Sequence, residues 1–135
     1  MADSKFFPKT IVLVLVAFSF CGFKFIADLK NEKGNDLYKK GQLGKAKTAY
    51  QGALKSDPQS PEIAYNLGNA LYKESAFKES LAAYQKAAKT QKDTAFDSKA
   101  FYNLGGAYYR NQDLSKAIES YQQALRLNPR DEDTK

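Results

Sequence analysis

The stretch YNLGNALYK at residues 65–73 recurs as YNLGGAYYR at residues 102–110, and a weaker copy, KGNDLYKKG, stands at residues 33–41. Working outward from these, Gly34 and Gly68 are 34 residues apart, as are Leu37 and Leu71, Tyr38 and Tyr72, Tyr50 and Tyr84, and Ala53 and Ala87. The third copy lies 37 residues further on: Asn66-Leu67-Gly68 returns as Asn103-Leu104-Gly105, Tyr84 as Tyr121, and Ala87 as Ala124. Three extra residues therefore fall near Thr94 to Asp97. Self-similarity at a period of this length is the signature of stacked repeats.

Each copy carries two apolar stripes at helical spacing with a break between them. The pattern predicts first helices near 27–40, 61–74 and 95–111, and second helices near 43–56, 77–91 and 114–127. The extra residues lengthen the last of the first helices by about one turn. Gly41 suits a left-handed helix terminus, and Pro58 and Pro129 follow second helices where a helix does not readily continue. Asp57, Ser60 and Asp113 suit helix starts. Leu43, Leu67, Leu71, Phe77, Leu81, Phe101, Leu104, Leu114, Ile118 and Leu125 are the expected core. Gly34, Gly68 and Gly105 each cost a helix interior about 1 kcal/mol. That cost is tolerable where a partner helix approaches closely, with Ala46, Ser80 and Ala117 expected to face them. None begins a helix after a strand, so they do not form a phosphate loop.

These residues resemble the tetratricopeptide repeat (TPR) family. Its pattern of a small residue, a small residue twelve later, then aromatic, small and proline is met by Gly34, Ala46, Tyr50, Ala53 and Pro58. The second copy has Gly68, Ser80, Tyr84 and Ala87, with Lys92 in place of the proline, and the third has Gly105, Ala117, Tyr121, Ala124 and Pro129. The resemblance covers residues 27–131. It implies an all-α superhelix of three helix-turn-helix repeats, 27–60, 61–94 and 98–131, within a domain of residues 27–135 behind an N-terminal hydrophobic helix.

Composition narrows the chemistry. The 135 residues carry a net charge of +6 without a concentrated basic stripe, which argues against nucleic acid as a partner. Histidine is absent, removing the usual general base near neutral pH and the commonest metal ligand. The single cysteine, Cys21, lies in the hydrophobic segment, so neither an internal disulfide nor a zinc cluster is available. Carboxylates such as Glu74 and Glu79 read as solvated helix charges. No catalytic residue, metal site or cofactor is expected.

Residues 1–26 read as a membrane anchor or signal segment. Thr10 to Phe23 carries no charge and follows Lys5 and Lys9. As a helix it would be about 21 Å long, short of a hydrocarbon core of roughly 30 Å. Snorkelling by Lys24 would extend the membrane contact through residues 10–26. A retained anchor and a cleaved secretory signal both remain open. The signal reading has a basic start and an apolar core, Ile11 to Phe20, but its small-x-small sites, Ala17-Phe18-Ser19 and Ser19-Phe20-Cys21, leave apolar sequence behind. Phe20 is large where a lipidated Cys21 would need a small residue before it. The expectation is a membrane-anchored protein with an extracytoplasmic, periplasmic TPR domain; lysines on both flanks leave the orientation open.

In a TPR stack the first helices line a concave groove, and repetition sets equivalent side chains in columns along it. One column is Tyr38, Tyr72 and Tyr109, and beside it runs Lys39, Lys73 and Arg110. Another holds Asn35, Asn69 and then Gly106; others are Asn31, Tyr65 and Tyr102, and Asn66 and Asn103. Tyrosines and amides with a cationic edge can hydrogen-bond an extended backbone, cover apolar side chains and attract carboxylates. An acidic or carboxylate-ended peptide segment of a partner protein is the expected ligand; the plainer reading makes these ordinary exposed helix residues.

Two narrower resemblances bear on the partner. TPR co-chaperones of Hsp70 and Hsp90 clamp a C-terminal carboxylate, and Asn35, Asn66 and Lys99 fall on matching positions, whereas Asn31 and Asn103 stand where that clamp has cations. The runs at 33–41, 65–73 and 102–110, the three-residue expansion and LNPRDED at 127–133 look like Bat-type TPR proteins. That likeness implies a bacterial envelope setting with von Willebrand-type domain proteins and MoxR-type ATPases as partner classes. Asp131-Glu132-Asp133-Thr134-Lys135 stands where a further, polar capping helix would begin, so self-association through repeat three is also expected. The two functional readings are an interaction scaffold and a self-assembling structural module.

Overall fold

Helix follows helix along the described chain. The computed structural model describes the backbone of residues 9–88 and 93–129, and the side chains of residues 22–88 and 93–129. Six α-helices succeed one another: α1 (Lys9–Lys39), α2 (Leu43–Ser56), α3 (Pro61–Lys73), α4 (Phe77–Ala88), α5 (Thr94–Arg110) and α6 (Leu114–Leu127). No strand occurs among the described residues. Each helix packs on the next, so α1/α2, α3/α4 and α5/α6 are stacked hairpins. At 17 residues against 13 for α3, α5 takes up the extra turn at its start.

Local chemistry sets the ends. Gly41 has φ +72°, and its N–H donates to Tyr38 O while that of Gln42 donates to Leu37 O, closing α1 with a left-handed terminus. The same turn recurs after α3 and α5 with Ser75 (φ 62°) and Gln112 (φ 64°), neither of them glycine. Ser60 and Asp113 cap α3 and α6 by accepting from Ile63 N and Lys116 N. Asp57 instead closes α2, its N–H donating to Ala53 O. Asp93, not expected from sequence, caps α5.

The core is built of alanine and tyrosine. Ala46, Tyr50, Ala53, Ile63, Leu67 and Leu71 form one buried cluster with Ala83; Ala64, Tyr84, Ala87, Leu104, Ala107 and Ala117 form the next. Burying each large aliphatic side chain contributes about 1.5–3 kcal/mol. Of the expected core, Leu67, Leu71 and Leu104 are buried and Leu43, Phe77, Leu81, Phe101 and Leu125 are half-buried. Leu114 and Ile118 are not core: each is 58% exposed. They occupy the places in α6 that Phe77 and Leu81 hold in α4. There the following helix supplies cover, including Arg110 over the Phe77 ring and the packing of Leu81 into the second cluster.

The glycine contacts also differ from expectation. Ala46, Ser80 and Ala117 are buried, but the groups against the glycines are rings. A Cβ placed on Gly34, Gly68 or Gly105 would stand 2.5, 2.6 or 2.8 Å from ring carbons of Tyr50, Tyr84 or Tyr121, respectively. The absent methyl makes room for an aromatic face.

At the N-terminal end, α1 reaches back beyond residue 27 to Lys9. The side chains of residues 10–21, most of the expected membrane or signal segment, lie outside the described residues. Phe23, Phe25, Ile26 and Leu29 are exposed. Among the described residues, no helix is long and apolar enough to cross a membrane.

Candidate functional site

The first helices α1, α3 and α5 are joined side by side through polar side chains. Asn66 Nδ2 on α3 donates to Asn31 Oδ1 on α1 at 3.0 Å. Asn103 Nδ2 on α5 donates to Asn69 Oδ1 at 3.1 Å and to Tyr65 Oη at 2.9 Å. From the second helices, Tyr50 Oη reaches Asn35 Oδ1 and Tyr84 Oη reaches Asn69 Oδ1, each at 2.8 Å. The bonded amides stand at different repeat positions, Asn31 with Asn66 and Asn69 with Asn103, and tie successive first helices together along the floor of the groove.

A hollow of about 250 Å³ opens on that floor, lined by Asn35, Tyr38, Lys39, Tyr50, Asn66 and Asn69. Five of these six were expected groove residues; Tyr50 was read only as part of the repeat pattern. Its signal lay in the sequence, as an asparagine directly after the glycine and a tyrosine fifteen residues later: Asn35 with Tyr50, Asn69 with Tyr84.

The cationic edge is held over aromatic faces. Lys73 Nζ lies 4.5 Å from the centre of the Tyr38 ring, and the Arg110 guanidinium 4.8 Å from that of Phe77. Each cation thus rests on a ring of the preceding repeat, an attraction worth about 0.5–1 kcal/mol at exposed sites. Tyr72 packs edge-on against Phe77, with centroids 5.3 Å apart. Tyr65 and Tyr102 serve mainly as packing residues, Tyr65 between Tyr84 and Phe96 and Tyr102 against Tyr121. Tyr109 and Lys99 are exposed on α5, outside the amide network.

Burial, with a smaller contribution from Tyr38, pushes the Tyr50 phenol up to about 12. Burial likewise raises Tyr65, Tyr84 and Tyr121. At neutral pH these hydroxyls are protonated; Tyr50 and Tyr84 spend theirs on the Oδ1 atoms of Asn35 and Asn69, which leaves the NH2 groups of those asparagines as neutral donors while the edge supplies positive charge. Such a surface suits main-chain carbonyls and carboxylates.

A second hollow, of about 380 Å³, lies among α4, α5 and α6, where Gln85, Phe101, Leu104, Tyr108 and Lys116 line it. It shares no residue with the groove. Gln85 Nε2 donates to Tyr108 Oη across it at 2.6 Å. Among the described residues, no group of three His, Cys, Asp or Glu side chains could hold a metal ion.

Family models described as tetratricopeptide repeat match residues 31–95 and 98–131. No functionally curated protein matches the sequence significantly. Among solved structures, the N-terminal domain of stress-induced protein-1 from C. elegans is 26% identical with a TM-score of 0.75, over 83% of this chain and 91% of that one. The first TPR of Spaghetti (RPAP3) bound to the HSP90 peptide SRMEEVD is 24% identical, with a TM-score of 0.76, over 82% and 86%. The TPR2AB-domain:pHSP90 complex of yeast Sti1 is 26% identical with a TM-score of 0.68, over 78% of this chain and 42% of that one. With three glycine-tyrosine repeats in six stacked helices and both models matching along them, the chain belongs to the tetratricopeptide repeat family of protein-interaction modules.

Proposed function

We propose that this protein is a non-enzymatic scaffold that holds an extended, acidic segment of a partner protein in the groove of α1, α3 and α5. The observation that carries the reading is the pre-formed amide and tyrosine floor, from Asn31–Asn66 to Asn69–Asn103, beside a positive edge at Lys39, Lys73 and Arg110. Polar groups already fixed in place lose little freedom when a peptide docks. The yeast Sti1 TPR2AB domain was solved as a complex with pHSP90, which supports a protein or peptide partner for this chain. Here Asn31 and Asn103 bond neighbouring amides or tyrosines and bring no charge, so a partner would be held by hydrogen bonds more than by a carboxylate clamp.

The envelope setting is part of the proposal. Exposed Phe23, Phe25, Ile26 and Leu29 continue the apolar character of residues 10–22, which supports a membrane-anchored chain; a TPR domain outside the cytoplasm with Bat-type partners is proposed on the sequence likeness alone. N-terminal sequencing of the mature protein from separated membrane and soluble fractions tests this; a soluble product lacking these residues refutes the anchor.

The groove is tested by capturing partners from cells on the intact protein and on the double variant Tyr72→Ala, Lys73→Ala. Loss of the partner with an unchanged helical spectrum supports the reading, and retained capture refutes it. A second reading, self-association through repeat three, is favoured by exposed Leu114 and Ile118. It requires sedimentation to show concentration-dependent growth.

A further inference from the structure

The third repeat departs from the other two at one place in the groove. In the first two, a tyrosine of the second helix donates to the asparagine that follows the packing glycine, Tyr50 to Asn35 and Tyr84 to Asn69. The third tyrosine is Tyr121, and the residue after Gly105 is Gly106. A Cβ placed on Gly106 would lie 3.6 Å from Tyr121 Oη and 3.8 Å from Tyr72 Oη. Two phenol oxygens thus converge on the notch left by the missing side chain. Among the described residues, neither has a hydrogen-bond partner.

Packing does not account for this glycine. Beside it, Gly105 has the Tyr121 ring where a methyl would be, whereas at Gly106 a methyl would meet only ordinary van der Waals contacts. A glycine inside a helix costs about 1 kcal/mol relative to alanine, and here no ring needs the room. The Tyr121 phenol is raised by burial and by the surrounding tyrosines, so it stays a donor at neutral pH. A half-buried donor without an acceptor gains from any oxygen that reaches it.

We infer that the Gly106 notch receives a short side chain bearing a carbonyl oxygen, aspartate or asparagine, from the peptide bound in the groove. Its oxygen takes the place that asparagine Oδ1 occupies in the first two repeats and accepts from Tyr121 Oη and Tyr72 Oη. With no side chain on Gly106, the peptide main chain can pass close over the helix at this point, so a short side chain suffices to reach the two hydroxyls. The inference rests on the groove reading and adds the residue class at one register position.

The test uses random peptides displayed on phage, selected on the intact protein and checked for loss of binding with Tyr72→Ala, Lys73→Ala. Selected peptides are expected to share aspartate or asparagine at one position. Changing that residue to alanine should weaken binding about tenfold, the worth of one or two hydrogen bonds. Gly106→Asn fills the notch from within and should weaken the parent peptide by a similar factor while making the alanine change nearly silent. Gly106→Ala sets a methyl carbon against the peptide's oxygen and should also weaken the parent peptide, by about threefold to tenfold. Synthetic peptides with aspartate and with asparagine separate a charged from a neutral acceptor. Without ligand, adding Tyr121→Phe should lower the melting temperature of Gly106→Asn by roughly 4 °C more than that of Gly106→Ala, the worth of the restored tyrosine bond with helix propensity cancelled. Groove-dependent binding with no preference for these residues, or an alanine change equally harmful in Gly106→Asn, overturns the notch and leaves the groove standing. Failure to select any groove-dependent peptide overturns both.

Discussion

The ring of Tyr84 lies flat against Gly68: its Cδ1 and Cε1 carbons stand 2.6 Å from where a Cβ on Gly68 would be. Gly34 with Tyr50 and Gly105 with Tyr121 repeat the relationship. Each ring also aims its hydroxyl at the groove, so one contact closes a helical hairpin and furnishes the binding surface.

Gly68→Ala should therefore destabilise the fold. The gain in helix propensity is about 1 kcal/mol, while forcing a methyl into a filled core costs about 1–3 kcal/mol, and more where a buried ring cannot retreat. A net loss of about 2 kcal/mol is expected in urea unfolding. Gly106→Ala, whose methyl has room, should be neutral or mildly stabilising, and equal losses in both would contradict the ring contact as the cause.

Ser75 and Gln112 hold the left-handed turn that Gly41 holds without strain. A side chain in that region costs about 1–2 kcal/mol. Partly offset by the greater freedom of glycine in the unfolded chain, Ser75→Gly and Gln112→Gly should each raise stability by about 0.5–1 kcal/mol. Thermal melts check this.

Alkali should unfold the protein through its tyrosines. Tyr50, Tyr65, Tyr84 and Tyr121 have folded-state pKa values raised above the ordinary value near 10. A raised folded value means the folded state retains protons that the unfolded state releases. Its stabilising effect is therefore complete below about pH 10 and is lost as pH rises through 12. Helical circular dichroism and tyrosinate absorbance should change together in that window. Tyr84→Phe, which keeps the ring and lacks the hydroxyl, should move the transition to higher pH.

Asn103→Ala removes two hydrogen bonds, to Tyr65 Oη and Asn69 Oδ1, at the junction of α3 and α5. Stability should fall by about 1–2 kcal/mol. Partner binding should weaken further than this loss explains, because Asn69 and Tyr65 are no longer held in place. Ile118→Ser, on an exposed face, should change stability by less than about 0.5 kcal/mol. Leu67→Ala in the core should cost about 2–5 kcal/mol.

Much of the architecture was legible in the chain. The spacing of Gly34, Gly68 and Gly105, with Tyr50, Tyr84 and Tyr121 beyond them, announced stacked hairpins, and α2, α3, α5 and α6 begin and end within about a residue of where periodicity put them. The columns Asn35–Asn69 and Lys39–Lys73–Arg110 could be aligned because a fixed period maps onto a fixed position on each helix.

Local pattern alone settled the repeats, the helices and which residue types recur at equal heights, since these depend only on spacing along one chain. Tertiary structure decided what each recurring residue touches. Apolar Leu114 and Ile118 look like core in sequence, yet burial depends on a covering neighbour that spacing does not reveal. The partner of each glycine was a tyrosine ring rather than the nearby small residue, because the crossing of two helices selects the contact. Only the assembled helices turned Gly106 into a notch between two hydroxyls, one from its own repeat and one from the repeat before.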